Sequence, residues 1–444
     1  MDAVNAFVHA DLDELVYMRM PPGFTVPGKV LRLNKALYGL RRSPLLWQTK
    51  FTSVLKDLGF TEIPQEPCVV LKNGVICFFF VDDIVFAFRR KDRDEVAQTV
   101  TSLKKTFTMT ELGELKWFLG MHIIRDRSKR LLWISQQSYI EKIAHQFTPD
   151  LQRCPETPML EEELTPLPPE EEVDEAGRTL YQRKVGSLLF AGIATRPDIA
   201  FATAKLSRFN QRPGKAHHEA ADRVIRYLYR TRHISIQYGQ QSTAASMVCA
   251  SDASFADDRL DRKSSQGYVM KLFGGPVAWR ANKQDTVTTS STEAELLALS
   301  QTAKEAIYLS RLLHALTLKL NEPLTIQCDN MQTIRLLVQE SARLQTKLRH
   351  VDIHSHWLRQ EVQRGTIRLQ WQETNKMIAD GLTKALGRVR FQKFTGMIGL
   401  DDLTERLELI RRQDELKDQL QEIKSQEKQE VVAFTQSRGL GYNP

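Results

Sequence analysis

Residues 78–88 read FFFVDDIVFAF, which sets Asp82 and Asp83 side by side in the most apolar stretch of the chain. Charge in apolar surroundings is costly unless it is paired or binds metal. Adjacent carboxylates also raise each other's pKa. A divalent cation resolves both conflicts, and hard oxygen ligands suit Mg²⁺. The plain alternative is a hairpin whose turn carries Asp-Asp, although the Asn-Gly or Asp-Gly pairs favoured there are missing. A second set of carboxylates lies further on: Asp252 in VCASDAS, Glu295 one turn into STEAELLALSQTAKEAIYLSRLLHAL, Asp329 after LTIQC, and Asp380 in MIADGLTKAL. Acids at the strand ends and helix starts of one mixed sheet can converge and hold two Mg²⁺ ions. One ion activates water and the other stabilises the leaving oxygen. Taken singly, Glu295 is a first-turn dipole partner and Asp329-Asn330 a helix cap. The order strand-Asp, helix-Glu, strand-Asp, helix-Asp argues for a shared site.

The chain that must position these groups has 444 residues, 42% hydrophobic and 26% charged, ordinary for a globular protein of several domains. A net charge of +8 suits a polyanionic partner. Cys68, Cys77, Cys154, Cys249 and Cys328 are scattered and form no CxxC pair, which points to reduced, buried thiols in an intracellular protein. No apolar run reaches the roughly 18 residues of a membrane span, and the acidic start lacks the basic region of a signal peptide. Periodicity predicts helices in SPLLWQTKFTSVLKDLGF, KDRDEVAQTVTSLKKTF, LYQRKVGSLLFAGIATRPDIAFATAKLSRF and HEAADRVIRYLYRTR, and strands in VVLKNGVICFFFV and IVFAF. Phe78 to Phe80 read as strand core. The Pro-rich, acidic stretch 157–176 reads as a linker with little to bury. From residue 246 the pattern becomes a strand meander, then the long helix opened by Ser290-Ser291-Thr292. Strands at LTIQCDN and TIRLQWQE follow, with helices at MQTIRLLVQE and MIADGLTKAL.

Here the motifs become specific. SDASFADDRLDRKSSQGYVMKLFGGPVAWRANKQDTVTTSSTEAELLALSQTAKEAIYLSRLL, QCDN and IADGLTKAL resemble the ribonuclease H domain of copia-type retrotransposon polyproteins. MDAVNAFVHADLDELVYMRMPPGF, LNKALYGLRRSPLLW, FVDD and LGELKWFLGMHI resemble the reverse transcriptase of the same family. The resemblance implies an α/β protein of mixed α+β type. It would comprise a polymerase palm (1–90), a primer-grip and thumb-like segment (91–156), the linker (157–176), a helical connection (177–245), a ribonuclease H-like mixed sheet with flanking helices (246–395) and a charged helical tail (396–444). It implies that Asp2, Asp82 and Asp83 bind the polymerase metals, and that Asp252, Glu295, Asp329 and Asp380 bind those of the ribonuclease H, two Mg²⁺ per site. Glu293 competes with Glu295, which the following E-L-x-A-L context favours. Phe7 falls where an aromatic screens the sugar of an incoming deoxynucleotide triphosphate. Gly39 falls in the nucleotide and template loop, and Trp117 to Gly120 resemble the primer grip. The implied partners are RNA–DNA hybrid and template-primer.

The chain departs from that pattern at Arg42 and Leu45, where relatives commonly have Gln and Arg. It opens one residue before Asp2, so the basic fingers are expected to be missing, Asp2 to fray from a shortened strand, and polymerisation to be feeble. His350, His354 and His356 include an i, i+4 pair but no acidic or thiol ligand at a matching spacing, so they read as a solvated helix face touching nucleic acid, not a zinc site. The Leu- and Ile-bearing tail helix reads as solvated or as a self-association segment.

Overall fold

The computed structural model describes residues 1–239, 247–318, 320, 324–339 and 349–409, with tail positions 412, 416 and 419. Its class is mixed α/β, with three sheets of five or six strands and a two-stranded ribbon, Asp11–Met18 with Leu31–Lys35. The first sheet is antiparallel throughout, in the order Thr61–Ile63, Glu66–Lys72, Val75–Phe80, Asp83–Ala87, Asp2–Ala3, Met109–Thr110. Side chains alternate across a strand, so Cys77 and Phe79 enter a core with Trp47, Phe51 and Leu55 of helix Ser43–Asp57 and Leu103 of helix Arg93–Thr106. Phe80 lies on the opposite face and is 57% exposed, which corrects the reading of all three phenylalanines as core. The expected fraying of Asp2 is also corrected. Asp2–Ala3 is an interior strand paired on both sides, with Met1 N donating to Ile84 O at 2.7 Å and Ala3 N to Asp82 O at 2.9 Å.

The second sheet orders Leu400–Asp402, Ile234–Tyr238, Leu131–Ser135, Met121–Asp126 and Trp117–Phe118, again antiparallel. It takes strands from the stretches read above as thumb-like segment, helical connection and tail, so those segments are joined by backbone hydrogen bonds. Helices Gln137–Phe147, Glu175–Ala194, Ala200–Ser207, Lys215–Arg230 and Arg388–Ile398 fill one core with one face of the third sheet. Within it Arg196 and Asp198, both fully buried, form a two-bonded pair at 2.9 and 2.6 Å, and the Tyr227 hydroxyl donates to Asp198 at 2.6 Å. Residues 157–174 form no helix or strand, yet Met159 and Leu164 pack on this core and Arg212 donates to the carbonyls of Pro168, Pro169 and Glu171. The acidic stretch is therefore laid along the helices instead of standing free.

The third sheet carries the second set of acids. Its order is Gly275–Lys283, Ser265–Leu272, Val248–Ser254, Leu324–Cys328, Ile367–Trp371; the first three strands run antiparallel and the last two join in parallel. Helix Ser291–Ala315 covers one face through Leu296, Leu299 and Ala303, backed by helices Met331–Val338 and Arg349–Gln363. MIADGLTKAL, expected to be a helix, forms only the 3₁₀ turn Ile378–Leu382. Gly381 lies where any Cβ would stand 2.7 Å from the Phe394 ring, so the chain turns tightly against the helix that follows. Beyond Leu400–Asp402 the tail helix is described to residue 409; the self-association segment expected there falls outside the described residues apart from the three positions named.

This packing generates a test. Gly267 pairs with Asp252 across the sheet, and a Cβ on it would meet Leu382 Cβ at 2.6 Å. Gly267→Ala should push the Ile378–Leu382 turn off the sheet and cost about 1–3 kcal/mol by overpacking. Thermal melting checks this; an unchanged midpoint would mean the turn is not seated on the strand.

Candidate active sites

At the first sheet, the two-residue loop Val81 and Asp82 joins Val75–Phe80 to Asp83–Ala87, with Phe80 and Asp83 as register partners. Val81 takes φ +55°. For a β-branched residue that is a true outlier, and such strain costs of order 1–3 kcal/mol unless the surroundings enforce it. Trp47 supplies the enforcement: its indole, 1% exposed, donates to Val81 O at 2.6 Å and stacks on Phe51 at 5.2 Å. Asp83 stands directly across from Asp2 on the neighbouring strand, and Asp82 lies in the turn beside them. Burial, then Asp82 and Asp2, push the Asp83 carboxyl up. Asp82 and Asp83 thus sit partly buried on a rigid hairpin, with Asp2 on the strand paired beside it.

The residues around them divide. Phe7, 6% exposed in the 3₁₀ turn Ala6–His9, packs against Tyr38 with ring centroids 4.4 Å apart and planes tilted by 46°. Tyr38 is half exposed, accepts a hydrogen bond from the Ala6 backbone, and its hydroxyl is raised by burial and by Asp82. It is the ring that faces the acids, with Phe7 beneath it, and sequence reading passed over it although it lies beside Gly39 in LYGL. Gly39 has φ +96° and open space where a Cβ would be. Trp117, 51% exposed, stacks on His122 at 4.6 Å, and the turn after it places Leu119 and Gly120 at φ +50° and +76°. Phe118 meets Phe78 edge-on at 5.5 Å, which ties this hairpin to the Asp82–Asp83 hairpin.

On the third sheet Asp252 and Glu295 are 2% and 5% exposed. Ala253 N donates to Glu295 at 3.3 Å, and Thr383 donates to Asp252. One oxygen of Glu295, the Cys328 sulfur and one oxygen of Asp329 lie within 4.8 Å of one another. Thr374 donates to Asp329 at 2.8 Å and Trp371 Nε1 to its carbonyl at 3.1 Å. Asp380 is 4% exposed and stands at the edge of the group, its two oxygens paired with Lys384 at 2.5 Å and Arg390 at 2.8 Å. Burial lifts Asp252 to about 6, with Asp329 and Asp380 adding to it and Lys384 and Thr383 opposing. Burial, Asp252 and Asp329 lift Glu295 further above its ordinary value. Burial works against the Lys384 charge, yet Asp252, Asp380 and Asp329 hold the ammonium up.

Glu293 is turned elsewhere: its carboxylate accepts from Thr289 N and Oγ1 at 2.7 and 2.8 Å, while Ser290 caps Glu293 N. It belongs to the helix start and Glu295 to the cluster. Lys384 and Thr383 were not singled out in the sequence, though they follow Asp380 at the three- and four-residue spacing of one turn. His354 Nδ1 lies 2.8 Å from Ser300 Oγ, His356 is exposed, and the His350 side chain is outside the described residues. The oxygen donors, raised carboxylates and partial neutralisation by one ammonium all fit a divalent hard cation. The Cys328 thiol, pushed up by burial and Glu295, stays protonated and is no ligand for one.

Residues 1–161 match the family model described as reverse transcriptase (RNA-dependent DNA polymerase). The chain is 36% identical over 413 residues to the retrovirus-related Pol polyprotein from transposon TNT 1-94 of Nicotiana tabacum, covering 90% of this chain and 30% of that protein. It is 34% identical over 314 residues to a transposon Ty5-1 protein of Saccharomyces cerevisiae, covering 69% of this chain and 100% of that one. The foamy viral protease-reverse transcriptase, solved with RNA/DNA hybrid, aligns with TM-score 0.46 and 14% identity over 84% of this chain and 43% of that chain.

The hairpin geometry makes its own prediction. Trp47→Phe keeps a ring in the core but removes the bond to Val81 O. Hydrogen exchange of the 76–87 hairpin should quicken about tenfold, the value of one lost hydrogen bond. Unchanged exchange would mean the turn holds itself.

Proposed function

Because the chain belongs to the Pol polyproteins of retrotransposons, with a reverse transcriptase region at residues 1–161, we propose that it carries two activities of a copia-type element. One is hydrolysis of RNA paired to DNA at Asp252, Glu295, Asp329 and Asp380. The other is RNA-directed DNA synthesis at Asp2, Asp82 and Asp83. The observation that carries the reading is the burial of strand residue Asp252 and helix residue Glu295 near Asp329, with Lys384 as the cation that offsets them. The chain spans 30% of the length of the tobacco relative, and the activities of such longer proteins enter here as part of the proposal.

At the hydrolytic cluster Mg²⁺, two ions per site, would supply activation of the nucleophile and charge stabilisation on the leaving oxygen. Thr383 fixes the Asp252 carboxylate and Thr374 that of Asp329, so the acids are oriented before substrate arrives. Lys384 and Arg390 pair with the two oxygens of Asp380 at the rim. A-form hybrid is read by backbone shape and 2′-hydroxyls, not by base sequence, which suits a chain with net charge +8. At the palm the same donor chemistry serves phosphoryl transfer from a deoxynucleotide triphosphate. There Tyr38 on Phe7 forms the aromatic floor, and Trp117 to Gly120 the turn that supports the primer. We place the protein inside the cell, where its five unpaired thiols stay reduced; no helix among the described residues is long and apolar enough to cross a membrane.

A catalytically silent nucleic-acid-binding remnant is the competing reading, favoured by the two cations that already engage Asp380. Cleavage of a labelled hybrid in Mg²⁺ separates them. Wild type should cut the RNA strand, and Glu295→Gln should slow cutting at least about a hundredfold, as for loss of one preorganised electrostatic group. Glu293→Gln should stay within about threefold, since the Gln side-chain oxygen can accept the same bonds from Thr289. Hybrid that is bound but left intact by wild type would support the remnant, and equal losses in both variants would reassign the glutamate.

A further inference from the structure

Helix Lys215–Arg230 presents Arg223, Arg226 and Arg230 at three- and four-residue spacing, so the three share one face. Opposite them the loop after helix Gln137–Phe147 brings Arg153 and Cys154, and the two walls enclose an open cleft of about 450 Å³. Ordinary structural reasons for arginines in such a place are ion pairs and backbone contacts, and some are met. Arg230 pairs with Glu156 at 3.0 Å and donates to Cys154 O at 3.2 Å. Arg232 on the next turn pairs with Glu141 at 3.3 Å.

The others lack such partners. Arg153 and Arg226 have no hydrogen-bond or ion-pair partner among the described residues, and Arg223 has one bond, to Thr157 Oγ1 at 3.0 Å, with its Nε buried and unbonded. Asp150, the other acid near Cys154, accepts from Gln152 N within its own turn. Burial and the proximity of Arg226 both disfavour the Arg223 charge, so the group is repulsive as it stands. Unpaired, clustered guanidinium groups in a concavity suit phosphate oxygens, which they can bond in forked fashion.

Position adds to charge. Glu156, paired with Arg230 through one oxygen, accepts Arg388 on the other, and Arg388 stands two residues before the Arg390 that pairs with Asp380. The cleft and the carboxylate cluster are therefore joined through the first turn of helix Arg388–Ile398. We propose that the Arg153–Arg223–Arg226–Arg230 cleft is a binding site for the phosphodiester backbone of the RNA–DNA hybrid, which holds the duplex at the connection helices while the acidic cluster engages the scissile strand. The inference rests on the hybrid-binding reading above and adds a site to it.

The test is hybrid binding by the full chain in metal-free buffer, measured by fluorescence anisotropy across a salt series. Arg153→Gln with Arg226→Gln removes two charges that hold no protein partner. It should weaken hybrid binding roughly tenfold near 0.1 M salt and lower the salt slope by nearly two, about 0.9 for each phosphate no longer neutralised. Arg153→Glu, at an exposed position, should give a loss of the same direction if the double variant folds poorly. Unchanged affinity and slope in variants that melt like wild type would overturn the proposal while leaving the hybrid reading intact. So would an equal loss in Lys215→Gln with Arg364→Gln, two exposed cations outside the cleft, or pyrophosphate binding lost in the variant with hybrid affinity preserved, which marks a small-anion site. Wild type that binds no hybrid would overturn both readings together.

Discussion

The cost of burying carboxylates governs this molecule more than any single contact. Asp252 in the Val248–Ser254 strand and Glu295 in the Ser291–Ala315 helix lie almost wholly out of water, and their carboxyls are raised because the ionised forms are poorly compensated. A sequence selected only for stability would place apolar groups there. The fold instead spends hydrogen bonds from Thr383 and Ala253, and the Lys384 ammonium, on keeping acids in place. Thr383 and Lys384 follow directly on the 3₁₀ turn that Gly381 and Gly267 allow to sit close against the sheet. Sheet order, glycine placement and the cationic residues after Asp380 are thus consequences of one requirement, that buried carboxylates lie near enough to feel one another's charge.

The N-terminal cluster meets the same requirement by a different route. Its acids are only partly buried, and their convergence comes from backbone geometry: a tight hairpin with Val81 at positive φ, and the Asp2–Ala3 strand inserted beside it. The left-handed valine is an unfavourable choice that the buried Trp47 indole holds in place. Strain at such a turn fixes the direction of Asp82 and Asp83 more firmly than a glycine would. The edge-on contact of Phe118 with Phe78 extends that rigidity to the Trp117–Gly120 turn.

Much of this was legible in the residues. Alternating strands, the Ser290 cap and the strand-helix order of the acids announced the mixed sheet, because period and capping are local signals. Glu295 was favoured over Glu293 only by the E-L-x-A-L context of the resemblance, and the structure turns Glu293 to Thr289. What was not legible depends on distant partners. Asp2 looked loose because strand pairing with Asp83 and Thr110 spans more than 80 residues. The tail looked separate because Leu400–Asp402 pairs with a strand 166 positions earlier, Ser235 against Asp401. MIADGLTKAL looked helical because nothing local shows the Phe394 ring against Gly381. Lys384 drew no notice in the sequence because only the fold places around it the acids it serves.

The central claim is that the Asp252–Glu295 cluster is destabilised by its own charge and relieved by a divalent cation. Comparing thermal midpoints of wild type and Asp252→Asn/Glu295→Gln, without metal and in about 10 mM Mg²⁺, tests it most directly, since a ligand that binds the native state stabilises it by mass action. The account predicts that the double variant melts above wild type in metal-free buffer, and that Mg²⁺ narrows or reverses the gap by raising wild type more. A variant that melts below wild type without metal, with the same Mg²⁺ shift in both proteins, would contradict it.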